Sequence, residues 1–241
     1  MTTEPVWDVE DAVERILAAA QAARDAVRIE GGVARPAGKK ATRTRTSLLT
    51  AAYEVFSRQG YQRTAVGEIA EAAGVSLGTF YQYFRDRADI MAAIVGTGAL
   101  DILRGNRTPW DPARGREGLR RVISRFVGTY AATAPFQGVW EEVTHVEPQM
   151  ATLRRDLSRV FTAVVAGALR AGAEQGLVRR DIDADQMATA LTAMVDRYCY
   201  VTFVFDPPEG GPPPVDEVVD VLTGLWADAI GLADGDRDDG G

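Results

Sequence analysis

The stretch EIAEAAGVSLGTFYQYFRDR, residues 68–87, holds two short helical patterns separated by one glycine, then four aromatics within residues 80–84. Ile69 and Ala73 lie four apart on one face of the first pattern. Val75 follows the turn, and Phe80 and Phe84 continue the apolar set on the second. Ala70 sits four residues before Gly74, where two closely crossing helices need a small side chain. Gly74 supplies the left-handed backbone of the turn cheaply, having no Cβ. The Ser76 hydroxyl is placed to cap the second helix. The whole reads as a helix-turn-helix, which holds its second helix out from the body so that it can enter a major groove.

The aromatics then divide. Phe80 and Phe84 belong to a core. Tyr81 and Tyr83 flank them at positions that cannot all be buried, and a tyrosine offers an apolar ring with one polar end. On an exposed recognition helix that end can reach a phosphate or base edge while the ring packs on a thymine methyl. The bland alternative is that FYQYF is the core of a small helical subdomain. Gly78 needs its own reason, because glycine inside a helix costs about 1 kcal/mol relative to alanine. Close approach of a sugar-phosphate backbone provides one.

The charge distribution agrees. The 241-residue chain carries a net charge of −7, yet residues 39–90 hold eight Lys/Arg against five Asp/Glu. A basic segment on an acidic body is the asymmetry expected where one part meets a polyanion. Apolar residues return mostly at three and four along the rest of the chain, so the expected fold is all-α. Residues 42–59, 66–73, 87–104, 119–132, 136–144, 147–175, 185–205 and 215–232 read as helices after or around the motif. Residues 8–30 read as an extra N-terminal helix with a narrow, alanine-rich stripe, ended by Gly31 and Gly32. The expected domains are an extension over 1–40 that turns basic at its end, a DNA-binding domain over 41–87, a helical domain over 88–232, and a charged tail over 233–241.

Composition excludes several other classes. One cysteine, Cys199, leaves no internal disulfide and fits a reducing cytoplasm. No apolar run approaches the roughly 18 residues of a membrane span, and no secretory signal opens the chain. Glu142 and His145 form one Glu-x-x-His element of a di-iron bundle, but such sites need two, and His145 is the only histidine. Zinc sites are equally short of ligands. Phosphate-cradling, dinucleotide and nucleophile-elbow motifs are missing. We therefore expect no enzyme, no metal and no cofactor.

Residues 44–94 resemble the DNA-binding domain of the TetR (tetracycline repressor) family. The matching residues are Ala51, Ala52, Phe56, Gly60, Tyr61, Thr64, Ile69, Ala70, Gly74, Val75, Ser76, Gly78, Phe80, Tyr81, Phe84 and the Arg-Asp-Arg that follows. The resemblance implies a homodimeric regulator, most often a repressor, on a palindromic operator. A small molecule entering its C-terminal domain would move the two DNA-reading heads apart. It also implies phosphate contacts from Thr64, Tyr81 and Arg87, and backbone or base contacts from Ser76, Gly78 and Thr79. Gln82 and Tyr83 would face bases or phosphates. Leu77 departs from the polar residues common at its place, and can meet a thymine methyl.

The extension keeps three readings open: a dispensable helix, a helix that docks on the body, or a basic arm of Lys39, Lys40, Arg43 and Arg45 for phosphates or the minor groove. In the C-terminal part, Phe126, Tyr130, Phe136, Trp140, Phe161, Met187, Met194 and Tyr198 recur at helical spacing. They read either as core or as the lining of an apolar pocket for a lipid-like, acyl or aromatic effector. The helices at 185–205 and 215–232 would form the dimer's four-helix seam, as the resemblance implies. The rival reading is a helical protein-interaction module without DNA function.

Overall fold

A computed structural model describes residues 38–105 and 110–232; the expected helix at 8–30 and the tail at 233–241 lie outside the described residues. The described chain is helical, with no strand. The helices are α1 (Lys39–Gln59), α2 (Val66–Ala72), α3 (Leu77–Tyr83), α4 (Arg87–Gly105), α5 (Gly115–Ala132), α6 (Ala134–Val146), α7 (Pro148–Glu174), α8 (Ala184–Tyr200) and α9 (Val215–Ile230). A 3₁₀ turn, Pro112–Arg114, precedes α5, and a π-helical turn, Val201–Phe205, continues α8. The expected all-α fold is present across the described residues.

Of the described residues, 38–105 with Gly138–Leu157 make one compact unit, and 110–137 with 158–232 make another. In the first unit, α1 packs against α2 and α4, and α2 against α3. Leu48, Ala52, Val55 and Phe56 of α1 are buried, at the three- and four-residue returns that define one helix face. Ile69, Ala70, Phe80, Phe84, Ile90 and Met91 complete that core. Burying an aliphatic or aromatic side chain stabilises by about 1.5–3 kcal/mol, so this small unit is held chiefly by its apolar interior.

Helix ends follow local chemistry. At the α2 C-terminus, Val75 N–H donates to Ala70 C=O at 3.0 Å and Gly74 N–H to Glu71 C=O at 2.9 Å, with Gly74 at φ 69°. That is a Schellman closure, and it turns the chain directly into α3. Ser76 Oγ accepts the Thr79 N–H at 3.1 Å and so caps α3. Pro135 stands in the first turn of α6, where its missing N–H has no partner to lose. Asp183 caps α8 by accepting the Asp185 and Gln186 amides, each at 3.0 Å.

In the second unit, α5 packs along α9, with α8 beside it. The core joins Trp110, Leu119, Ile123, Val127, Leu169, Leu191, Val195, Leu222 and Trp226, and the Trp110 and Trp226 rings meet edge-on at 6.4 Å. Cys199 is fully buried there, and burial, with the Asp196 charge adding to it, pushes its thiol up to about 12. Arg116 and Arg120 reach across from α5 to Asp228 and Asp220 on α9 at 3.0 and 2.9 Å. These exposed pairs contribute little beyond register.

Candidate nucleic-acid interface

The second helix of the motif, α3, presents two unlike faces. Phe80 and Phe84 are buried and sit 5.8 Å apart, centroid to centroid. Tyr83, expected to face DNA, is 7% exposed. It lies three residues after Phe80, on the same helical face, so its ring joins the packing; this corrects the reading of that position. Tyr81, one residue after Phe80, is turned about 100° from it around the helix and is 55% exposed, its ring edge-on to Phe80 at 5.6 Å. Leu77 is 47% exposed, and Ser76, Gly78 and Gln82 are exposed beside it. Thr79 is half-buried, its hydroxyl 2.9 Å from that of Ser76.

Gly78 has no protein neighbour that demands glycine. A Cβ built there meets only Ser76 Oγ, at 3.8 Å. The bare position is turned outward, so any close approach that requires it comes from another molecule. Together Leu77, Gly78, Tyr81 and Gln82 give one exposed face that mixes an apolar side chain, a bare backbone, a phenol and an amide. These are the groups that read thymine methyls, phosphates and base edges.

The basic residues before the motif are helical. Lys39, Lys40 and Arg43 are exposed on the first turns of α1, not on an extended arm. Arg45 turns inward and sets its guanidinium over the Phe84 ring at 5.5 Å. Two more cations are exposed: Arg85 just after α3, given above only as part of the Arg-Asp-Arg match, and Arg63 in the turn before α2, which the sequence reading did not single out. Only its charge marked Arg63.

Two other expected phosphate ligands have internal partners. Thr64 is 1% exposed, and its hydroxyl donates to Gly60 C=O at 2.7 Å. The expectation that it holds a phosphate gives way to a turn-closing role, because its donor is already used. Arg87 Nη1 donates to the carbonyls of Tyr61, Gln62 and Thr64 at 3.1, 3.0 and 3.0 Å. Its guanidinium also lies 4.8 Å from the Tyr61 ring centroid. Arg87, Gln62, Arg63 and Asp86 border an open groove beside the start of α2. At that start, Glu68 accepts the Ala65 N–H at 2.7 Å and the Gln59 amide at 3.0 Å. The Ala65 N–H, then the Gln59 amide, hold the Glu68 carboxyl below its ordinary value.

The expected ligand-lining residues are dispersed. Tyr130 and Phe136 are buried in the second unit; Phe126, 5.9 Å from Tyr130 between centroids, is 39% exposed. Met187 and Met194 are half-buried against the second unit's core, Phe161 is half-buried, and Tyr198 is 38% exposed on α8. Trp140 is half-buried and belongs to the first unit. His145, alone among histidines, places Nδ1 2.7 Å from the Glu141 carbonyl and is exposed at the end of α6.

A capped, outward-facing α3 on a packed three-helix head, followed by a second helical unit, defines a helix-turn-helix transcriptional regulator. Comparison with known proteins agrees. Residues 48–94 match the model for bacterial regulatory proteins of the tetR family, and residues 119–231 match that for the C-terminal domain of the transcriptional regulator EthR. The transcriptional repressor KstR2 of Rhodococcus jostii (strain RHA1) is 30% identical over 148 residues, which cover 58% of this chain and 71% of KstR2. The transcriptional regulator EthR of Mycolicibacterium smegmatis is 24% identical over 199 residues, covering 82% of this chain and 89% of EthR. The solved structure of the regulator FadR from Bacillus subtilis in complex with stearoyl-CoA aligns at a TM-score of 0.61 and 20% identity, over 77% of this chain and 98% of that one. The chain belongs to the TetR family of transcriptional regulators. No described helix is long and apolar enough to cross a membrane.

Proposed function

We propose that this protein is a cytoplasmic, ligand-responsive repressor that binds a palindromic operator as a homodimer and leaves it when a small apolar molecule binds. The observation that carries the DNA reading is the α3 surface, with Tyr81 at 55% and Leu77 at 47% exposure around the bare Gly78. Singly such exposure is ordinary, but apolar groups gathered on one face beside a bare glycine are what an interaction surface presents. Tyr81 donates to a phosphate, Leu77 meets a thymine methyl, and Gln82 reads a base edge. Ser76 and Thr79 meet the backbone, and Lys39, Lys40 and Arg43 add phosphate contacts from α1.

An exposed apolar row on α8, the π turn and α9 supports the homodimer: Tyr198, Val201, Phe205, Val221 and Leu225 are 38–66% exposed. A palindromic operator read in successive major grooves would need the two copies' α3 helices about one DNA turn, roughly 34–36 Å, apart. The effector would be acyl, lipid-like or aromatic. Tyr130, Phe136, Phe161 and Met194 offer apolar surface and no cation, and the related fold of FadR was solved with stearoyl-CoA.

The test is fluorescence anisotropy of the full chain on DNA from upstream of its own coding sequence, at two salt concentrations, with unrelated DNA as competitor. Competitor-resistant binding at one or two dimers per site is expected. Binding that competitor and moderate salt erase equally on every fragment tested would refute specific recognition.

A further inference from the structure

The turn between α1 and α2, Gly60 to Gln62, is gripped from both sides. On one side its amides meet a carboxylate. Glu142 Oε2 accepts the Tyr61 N–H at 2.9 Å, and Glu142 Oε1 accepts the Gln62 N–H at 3.0 Å. Glu147 Oε1 accepts the Tyr61 phenol at 2.8 Å, and burial together with this bond drives that phenol's pKa far up. On the other side its carbonyls meet Arg87, as described above. One peptide unit does both jobs: the Gln62 N–H and the Tyr61 C=O belong to the same amide. An anion on its donor and a cation on its acceptor polarise it in the same direction, so each bond strengthens the other.

Gly60 makes this approach possible. Its φ is 85°, and a Cβ there would stand 3.0 Å from Glu142 Oε2. Side chains at this point would push the carboxylate off its two amides. The pair Glu142 and His145, which had suggested half of a metal site, is therefore explained differently: the glutamate has a structural partner 80 residues upstream.

The position of the grip in the chain gives it meaning. Glu142 is on α6 and Glu147 joins α6 to α7, the two helices whose other ends belong to the second unit. Arg87 begins α4 and follows α3 by a few residues. We propose that Glu142, assisted by Glu147, is a positioning residue for DNA recognition: through the Gly60–Gln62 turn and Arg87 it sets where α3 stands, and a shift of the α6–α7 junction reaches α3 by this route. This rests on the DNA-binding reading above.

The experiment compares the full-length wild type with Glu142→Ala, Glu142→Gln and Glu147→Gln. Amide hydrogen exchange is followed at residues 60–64 and 77–84, with α5 as internal reference, and operator binding is measured across salt. Glu142→Ala should speed exchange at least about tenfold in both segments, since two amides lose a charged acceptor, and leave α5 unchanged. Its specific affinity should fall about tenfold, while its affinity for unrelated DNA stays level or rises because a negative charge is gone. Its salt slope should not change, as no phosphate contact is lost. The isosteric Glu142→Gln keeps one acceptor oxygen and should fall between, which answers the case in which the alanine variant does not fold. Faster exchange confined to residues 60–64, or specific affinity equal to wild type, would overturn the proposal. Should the wild type itself find no specific DNA, the DNA reading fails by that result, and exchange at residues 77–84 still decides the grip.

Discussion

Replacing Arg87 by alanine removes the cation on which the carbonyls of Tyr61, Gln62 and Thr64 converge. Nη1 carries two protons for three acceptors, so at most two of these bonds are fully formed at once. A hydrogen bond with one charged partner contributes about 1.5–3 kcal/mol; the half-exposed setting of Arg87 argues for the low end. Two such bonds give roughly 3 kcal/mol, before any contribution from the guanidinium on the Tyr61 ring. That is a factor of roughly 100 in the opening equilibrium of the DNA-binding head. A global melt would blur this over two units, so native-state hydrogen exchange at α2 and α3 is the appropriate assay. Exchange there should quicken roughly 100-fold in Arg87→Ala, with α5 and α9 unaffected. Lysine, a point charge without the planar fork, should restore only part of it. Exchange within about threefold of wild type would refute the clasp. If in addition the salt slope of DNA binding dropped by about 0.9, Arg87 would be a phosphate ligand and nothing more.

Tyr81→Phe removes one exposed hydroxyl, so operator affinity should weaken about fivefold, worth roughly 1 kcal/mol, with the thermal midpoint unchanged; equal affinity would remove the phosphate role. Leu225→Glu places a carboxylate in the exposed α9 row twice over in a symmetric pair, and should weaken dimerisation at least tenfold in sedimentation equilibrium; an unchanged dimer would move the seam elsewhere. Because the Glu68 carboxyl is held below its ordinary value by the Ala65 N–H, its support of α2 is complete above the unfolded carboxylate range. That support is lost only as pH falls through the lower folded value. The Ala65 amide shift should therefore titrate below the usual glutamate midpoint of about 4.3; a midpoint at the usual value would contradict the bond.

The head was legible because its logic is local. Gly74, Ser76 and the Phe80–Phe84 spacing each dictate a backbone state or a buried face within one turn of themselves. Tyr83 was misread as DNA-facing: the polar end of a tyrosine argued for the surface, while its place three after Phe80 put it on the buried face, and packing won. The clasp on Arg87 and the grip of Glu142 were not legible. Both satisfy backbone groups of a turn that is 23 or more residues distant, and a backbone carbonyl or amide leaves no mark in the sequence. The π turn at Val201–Phe205 likewise has no composition that separates it from the helix it extends. Tyr198 and Met194 share a spacing of four, yet one is exposed and one packed against core, because helix spacing fixes a face but not which neighbour covers it.

Cys199 offers a practical opening. It is the chain's only thiol, enclosed in the second unit, and held protonated by its surroundings, so maleimides and spin labels will pass over the native protein. Any cysteine introduced at an exposed site becomes the sole point of attachment without further engineering. In the proposed homodimer, Gln82→Cys would put one probe on each copy's α3, and the distance between the two probes could then be read in solution with and without a candidate effector. A buried, inert sulfur thereby turns the molecule into a ruler for its own operator spacing.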